Sequence, residues 1–570
     1  MNGAEALIKC LEMQGVEYIF GYSGGAAIPI FDAIVTTKTK IELVLVRHEQ
    51  GATHMADGYA RTTGKPGVVL VTSGPGATNT ITGLITSHMD SVPMIVLCGQ
   101  TITAMLGKDA FQEADVFGIS LPVVKHSYLV KETESIPRII HESFHIANTG
   151  RPGPVLIDLP KDITSAEAEF DLSPELDLPG YSYPENGDTA IIKQISAALK
   201  KAHKPILMVG HGAVLAKADA AVTKLAETLN CPVISTLLGK GSFSESHELS
   251  LGMLGMHGTP YANKAIMECD LLFSIGSRWD DRIVGKLDEF CKDAVTIHVD
   301  IDSSEEGKMV QPDYFCCGDA RLIIEELIGY SERLDIDEWV KTCADFKKDF
   351  PLKYDKVPGE LTMQEVLEEF DKLTNSKVVV STDVGQHQMF AAQFMKTESG
   401  FDWLSSGGAG TMGYGFPGAI GAAFGRPGEP IIAVCGDGGF QMTMAEMATA
   451  ALHKLPVKCL VLNNSYLGMV RQWQELFFDN RLSGVDLEGN PDFVKFAECY
   501  EGAKGFRITK SEDIVRVLKE AMAYNDGPVL IEAVVEKTGN VYPMIPAGAP
   551  YDKMLLEAPT EKLEKPTGST

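Results

Sequence analysis

Short apolar runs alternate with segments of helical spacing along nearly the whole chain. Apolar runs of about four to eight residues between turn residues read as buried strands, and the longer amphipathic stretches read as helices. The pattern falls into three blocks. Residues 1–165 carry the runs IELVLV, GVVLVT, PMIVLCG and PVLIDLP. Residues 188–335 carry PILMVG, PVIST, LLFSIG and TIHVDID, and residues 361–541 carry KVVVSTD, IIAVCGD, KCLVLNN and PVLIEAVV. This alternation predicts an α/β fold of three doubly wound parallel-sheet domains. SPELDLPGYSYPENG reads as an interdomain linker, and DEWVKTCADFKKDFPLKYDKVPGE as a charged connection. Residues 542–570 read as a C-terminal arm, ordered at first and frayed at its end. Blocks one and three match in size and strand content, a weak internal symmetry.

Composition narrows the class. A chain of 570 residues is long enough for several domains. A net charge of −27 argues against nucleic acid and anionic membrane as partners, since both are bound by basic surface. No run approaches the roughly 18 apolar residues of a membrane span. The N-terminus is amphipathic, with Glu5 and Glu12 on it, and lacks the basic start of a signal peptide. The 11 cysteines are scattered without C-x-x-C spacing, which predicts reduced thiols in a cytoplasmic protein.

The candidate chemistry stands where apolar runs end. IIAVCGDGGF places Asp437 beside Gly438 and Gly439, and LVLNNSYLGM places Asn464 before Tyr466, Gly468 and Met469. A carboxylate and an amide oxygen suit Mg²⁺, which takes one or two protein oxygens and leaves the rest to water and phosphate. The glycines admit backbone N–H groups to a diphosphate, and GFQMTMAEMATAAL predicts a helix whose N-terminus faces the same anion. Gln386 and His387 close another run, in STDVGQHQM, as candidate diphosphate donors. Gly410 and Met412 lie in a Gly-rich turn, where composition alone makes Met412 a core residue. Glu49, in LVRHEQGATHMADGYARTTG, stands where strand gives way to helix. Taken alone it reads as a cap or a surface charge, and His48 as packing.

Together these motifs resemble the cofactor site of thiamine-diphosphate (ThDP) enzymes. The resemblance implies that Asp437, Asn464 and the Tyr466 carbonyl hold Mg²⁺, that Met412 bends the cofactor, and that Glu49 hydrogen-bonds its aminopyrimidine ring. It makes the first block the pyrimidine-binding domain and the third the diphosphate-binding domain. From about Ala4 to Ala549 the chain resembles the acetohydroxyacid (acetolactate) synthase large subunits, through LGMVRQWQELFF, DAFQEADVFGIS, RPGPVLIDLPKDI, LGMLGMHGTPYAN, GSRWDDRIVGKL and PMIPAGAP. Ser23 stands for a usual Pro, Trp279 for a usual Phe, and the segment after Gln100 lacks a Pro.

PILMVGHGA by itself is a weak nucleotide signal. With GMLGMHG, GSRWDDR and HVDID, the second block resembles the FAD site of the anabolic members. The matching positions are Arg151, Gly252, Met253, Gly255, His257, Gly276, Arg278, Asp300, Ile301 and Asp319. The flavin there is structural. The implied reaction decarboxylates pyruvate and joins the remainder to a second 2-keto acid, the first common step of branched-chain amino-acid biosynthesis. Gly25, Phe111, Gln112 and Lys161 join Glu49 on the catalytic side. Arg278 is a partner for the second acid's carboxylate or a flavin contact; Trp473 lines the acceptor's alkyl pocket or packs in the core.

Glu49 and Asp437 lie on separate domains, so the family pattern implies a homodimer or homotetramer, with a small regulatory subunit as a family expectation. Rival readings are a catabolic acetolactate synthase, a 2-keto-acid decarboxylase or a pyruvate oxidase. A Rossmann dehydrogenase would explain the second block but not Glu49 or the Asp437–Asn464 pair. A non-catalytic cofactor-binding protein is the third alternative.

Overall fold

Three six-stranded parallel sheets occupy the three blocks in the computed structural model, which describes residues 1–560 and 563. The first contains β1 (Tyr18–Tyr22), β2 (Glu42–Leu45), β3 (Gly67–Val71), β4 (Met94–Gln100), β5 (His126–Leu129) and β6 (Pro154–Pro160), ordered β2-β1-β3-β4-β6-β5. The second contains β7 (Pro205–Val209), β8 (Val233–Ser235), β9 (Ser250–Met253), β10 (Leu271–Ile275), β11 (Val295–Asp300) and β12 (Tyr314–Cys317), ordered β12-β11-β10-β7-β8-β9. The third contains β13 (Val379–Thr382), β14 (Trp403–Ser405), β15 (Ile431–Gly436), β16 (Lys458–Asn463), β17 (Lys504–Ile508) and β18 (Val529–Val534), ordered β14-β13-β15-β16-β18-β17. Counted within its own block, the third order repeats the first, so the internal symmetry is one of topology. The second sheet has the order of a dinucleotide-binding fold, with its switch point between β7 and β10.

Most of the apolar runs became inner strands buried along their length, whereas IELVLV became the edge strand β2, in which only Val44 is buried. Of the strands without such runs, β5, β12 and β17 lie at sheet edges and bury only part of their residues.

The first and third blocks meet along two helices, Glu49–Thr63 and Gly415–Gly425. Their backbones touch. A Cβ on Gly421 would lie 1.9 Å from the Met55 carbonyl oxygen, and one on Gly58 would lie 2.1 Å from that of Gly418. Met55, Ala56 and Tyr59 thereby share one core with Phe416, Ile420 and Phe424. Gly421→Val is therefore expected to lower stability by about 1–3 kcal/mol or more, because no neighbouring rotamer can relieve a clash with backbone. Denaturant unfolding checks this, and an unchanged midpoint would refute the close approach.

Two segments pack more firmly than their composition predicted. The charged connection carries the helix Asp337–Asp349, which buries Trp339 and Cys343 in the second core. The Trp339 indole N–H donates to the Pro205 carbonyl at 3.0 Å. This helix therefore belongs to the second unit. The arm after residue 541 also lies on that unit: the Ile545 N–H donates to the Met256 carbonyl at 2.9 Å, and the buried Tyr551 hydroxyl donates to that of Ile283. The expected frayed end, residues 561–562 and 564–570, lies outside the described residues. Trp279 is buried, with its indole N–H on the Ser274 hydroxyl at 2.6 Å and its ring stacked on His298 at 5.0 Å. The larger ring is thus accommodated with its polar group satisfied. Among the described residues no helix is long and apolar enough to cross a membrane.

Candidate active site

The third sheet's switch point lies between β13 and β15, and the carboxyl ends of its strands carry the predicted ThDP residues. Asp437 follows β15 directly and is almost wholly buried. Its Oδ2 accepts from the Asn490 amide at 2.7 Å, and burial pushes its carboxyl up to about 6. Asn464 follows β16; its Oδ1 accepts the Tyr466 N–H at 3.1 Å, across a turn in which Ser465 takes a left-handed φ of 57°. Asn490 also donates to Asn463 Oδ1 at 3.2 Å, tying the two strand ends together. Sequence reasoning missed Asn490, which stands in an irregular loop with no motif around it.

The next segment begins at Asp383, fully buried at the end of β13. Its carboxylate accepts the N–H groups of Val384, Gly413 and Gly415 at 2.8 to 3.1 Å, which fixes the loop around Met412. Gly410 in that loop has a φ of 62° and open space where a side chain would stand. A Cβ on Gly438 would come within 3.7 Å of the Met412 methyl, and one on Gly439 would meet Asp383 Oδ1 at 2.2 Å. The loop bearing Met412 thus lies against the glycines that follow Asp437.

Gln386 opens the next helix, Gln386–Phe394, and its amide donates to Gln472 Oε1 at 2.9 Å and to the Gly539 carbonyl at 2.8 Å. Those two side-chain hydrogens are taken up by protein. A Cβ on Gly468 would collide with Gln386 Oε1 at 2.1 Å, so the strand-end loops are packed to glycine tolerance. His387 is buried; burial pushes its imidazole down to about 3, so it is neutral, and its Nε2 has no hydrogen-bond partner among the described residues.

On the first sheet, Glu49 is the first residue of its helix and is 8% exposed. Its Oε2 accepts from the Asn79 amide at 3.0 Å. His48 is the N-cap, its Nδ1 accepting the Gln50 N–H, as a packing or capping role requires. Lys161 begins a short helix after β6. Gln112 has a φ of 59° in the loop after β4, and its carbonyl would lie 2.8 Å from a Cβ on Gly74. Phe111 beside it is 88% exposed. Gly25 has open space on its side-chain side.

A cavity of about 890 Å³ opens between the blocks. Arg151, Met253, His257, Gly276, Arg278, Asp300, Ile301 and Asp319 line it, together with Gly410, Met412, Met469 and Trp473. Gly252 and Gly255, with φ values of 73° and 116°, are not among its lining residues. At the β7/β10 switch point a Cβ on Gly276 would lie 2.6 Å from the Gly212 Cα, so two glycine turns pack against each other. Arg151 is held by Ser91, Asp302 and Glu305. His257 is buried and pushed down to about 4 by that burial, with Nδ1 3.1 Å from the Pro543 carbonyl. Asp319 caps the helix Ala320–Ile328. Arg282, which sequence reasoning passed over, also lines the cavity with its side chain 58% exposed, whereas Arg278 stands 3.8 Å from Asp280. Gly25, Glu49, Phe111, Gln112 and Lys161 are absent from the cavity wall of this one chain, as are Gln386, His387, Asp437, Gly438, Gly439, Asn464, Tyr466 and Gly468.

The chain matches the thiamine pyrophosphate enzyme N-terminal TPP binding domain over residues 1–119, the central domain over 192–327 and the C-terminal TPP binding domain over 383–533. It is 45% identical to the acetolactate synthase large subunit of Corynebacterium glutamicum over 559 residues, 96% of this chain and 89% of that protein. The chain belongs to the acetolactate synthase large-subunit family. It is 43% identical over 570 residues to the large subunit of Haemophilus influenzae, 99% of each chain, and 44% over 568 residues to that of Cyanidium caldarium, 97% of this chain and 96% of the other. Membership makes the chain an enzyme of the ThDP class and sets aside the dehydrogenase reading, which no part of the first and third blocks supports. Each matched range falls on a different sheet, the first ending before β5 and β6 and the third beginning just after β13, and ThDP is the cofactor of the first and third domains.

Proposed function

We propose that the chain decarboxylates pyruvate and joins its remaining two-carbon unit to a second 2-keto acid. Pyruvate as acceptor gives 2-acetolactate and 2-ketobutyrate gives 2-aceto-2-hydroxybutyrate. One observation carries this reading: Met412 and Gly410, from the ThDP edge, line the same cavity as Arg278 and Trp473. ThDP, when bound, supplies the electron sink for decarboxylation and carbon–carbon bond formation. This chain's residues bind, orient and exchange protons around it. Glu49, buried and steadied by Asn79, would hold the proton at the aminopyrimidine nitrogen.

The donor set fits Mg²⁺. Asp437 is a buried carboxylate whose partner is an amide rather than a cation, and Asn464 adds a neutral oxygen beside it. The Tyr466 carbonyl would complete the protein's share. The unpartnered His387 Nε2 and the glycine-lined turns fit the diphosphate. FAD would take the part of the cavity lined by the second block. Its size suits a large ligand, and Asp300, at the carboxyl end of β11, offers that ligand a carboxylate acceptor. Arg278 and Arg282 both offer a guanidinium to the acceptor's carboxylate.

The catalytic-side residues of the first block stand off the cavity, and Phe111 is bare to solvent. This supports a homodimer in which a second copy closes the site, a homotetramer being two such pairs. The relatives' designation as large subunits supports a small regulatory partner. Eleven free cysteines support the cytoplasm as compartment.

The test is the purified chain with ThDP, Mg²⁺ and FAD, given pyruvate with and without 2-ketobutyrate, its products identified by mass. Acetolactate is expected. Sustained acetaldehyde without acetolactate, or oxygen uptake in proportion to pyruvate, would replace this reading with a decarboxylase or an oxidase. Trp473→Leu is expected to shift the two-acceptor product ratio toward acetolactate by roughly tenfold, since one methylene in an apolar pocket is worth about 1–3 kcal/mol. An unchanged ratio in a competition assay would return Trp473 to a packing role.

A further inference from the structure

We infer that Glu446 is a positioning residue for Glu49, a role that rests on the reading of Glu49 as the acid beside the aminopyrimidine. Glu446 is 1% exposed and lies in the helical turn Met444–Glu446, which directly continues the helix beginning at Asp437. Its carboxylate reaches across to the first block. Oε1 accepts the Arg47 N–H at 3.1 Å and the His48 N–H at 3.0 Å, and Oε2 accepts the Arg47 N–H at 3.2 Å. The Thr449 hydroxyl donates to Oε2 at 2.7 Å, fixing the carboxylate from its own side.

Arg47 and His48 are the two residues immediately before Glu49. They form the turn from β2 into the Glu49–Thr63 helix, so the direction in which the Glu49 side chain leaves the backbone follows from their placement. The Arg47 guanidinium acts on this carboxylate only through its charge: among the described residues its hydrogen bonds go to the carbonyls of Leu45 and Val46. A buried carboxylate that spends its acceptors on peptide N–H groups 398 and 399 residues away has a costly arrangement to maintain, because burial outweighs these hydrogen bonds and the Arg47 charge and pushes its carboxyl up. The contact is also sterically exclusive. A Cβ on Gly51, on the first turn of the same helix, would meet Glu446 Oε1 at 2.2 Å. The glycine therefore leaves the room that Glu446 occupies.

Glutamine at 446 keeps the shape but offers a single acceptor oxygen and turns an N–H₂ toward N–H donors. Alanine at 51 approaches the contact from the other side and, by itself, favours the helix. The experiment uses full-length protein loaded with ThDP, Mg²⁺ and FAD. It measures hydrogen–deuterium exchange at C2 of the bound ThDP, the ThDP dissociation constant and the pyruvate KM, for Glu446→Gln, Gly51→Ala and Glu49→Gln. Both positioning variants are expected to slow exchange by roughly ten- to a hundredfold, with ThDP affinity and KM within about twofold of the parent, as an ångström-scale misplacement predicts. Exchange at the parent rate in both, with Glu49→Gln slow, would overturn the role of Glu446. Loss of ThDP affinity in step with exchange would also overturn it, by making the residue structural only. Parent-rate exchange in Glu49→Gln would instead remove the reading of Glu49 and, with it, this inference.

Discussion

Glu49→Gln is expected to slow acetolactate formation by about a hundred- to ten-thousandfold while ThDP still binds, the range that general acid–base groups contribute. The substitution is nearly isosteric, and its amide can still meet Asn79, so the helix start and the cradle formed by Gly76 and Asn79 are retained. What is lost is the capacity to take and return a proton. The side chain is buried at the first position of a helix, where solvent cannot easily substitute for it. Steady-state rates with excess ThDP, together with a binding titration, separate the two effects. A rate within a few-fold of the parent would leave Glu49 as a mere helix-start residue.

Asp437→Ala is expected to act on the other side of the cofactor and to appear as lost affinity. Removing one buried charged partner typically costs about 2–5 kcal/mol, which weakens Mg²⁺-dependent ThDP binding by roughly thirty- to several-thousandfold. The pH dependence should carry the same signature. Burial raises the Asp437 carboxyl to about 6 in the metal-free protein, above its unfolded value. A raised carboxyl favours folding while it is protonated, so this contribution is lost as pH rises through about 6. Mg²⁺ requires the ionised form, so its affinity, and that of ThDP with it, should fall as pH drops below about 6. A titration of ThDP binding between mildly acidic and neutral pH checks the direction. Affinity that stays flat, or rises on acidification, would detach Asp437 from the metal.

Much of this site could be read before any coordinates, for a physical reason. Central strands of a parallel sheet are buried on both faces and must be apolar, so a polar residue closing such a run is conspicuous. Asp437, Asn464 and Gln386 stand at or just past such ends, whereas Glu49 follows the edge strand β2. The remainder depends on contacts between residues far apart in sequence. Asn490 lies 53 residues from Asp437, and Glu446 lies 398 from His48; neither sits in a local pattern that marks it. Asp383 was part of a quoted motif, yet its clamp on Gly413 and Gly415 becomes visible only when β13 and the loop are brought together. Edge strands β5, β12 and β17 escaped because half-exposed strands need no apolar run, and the helix Asp337–Asp349 because its buried Trp339 and Cys343 are diluted by charge. The Gln386 amide illustrates a finer limit: its place at a strand end was legible, but its engagement with Gln472 and Gly539 was not.

On the proposed function, Glu49 of one copy and Asp437 of another serve one cofactor. The most direct measurement mixes the inactive Glu49→Gln and Asp437→Ala chains, refolded or co-expressed in equal amounts. In a two-fold dimer with a site shared between copies, each mixed dimer contains one fully native site, so about a quarter of the parent activity should return. If both residues act within a single chain, mixing restores nothing, and that result would contradict the account.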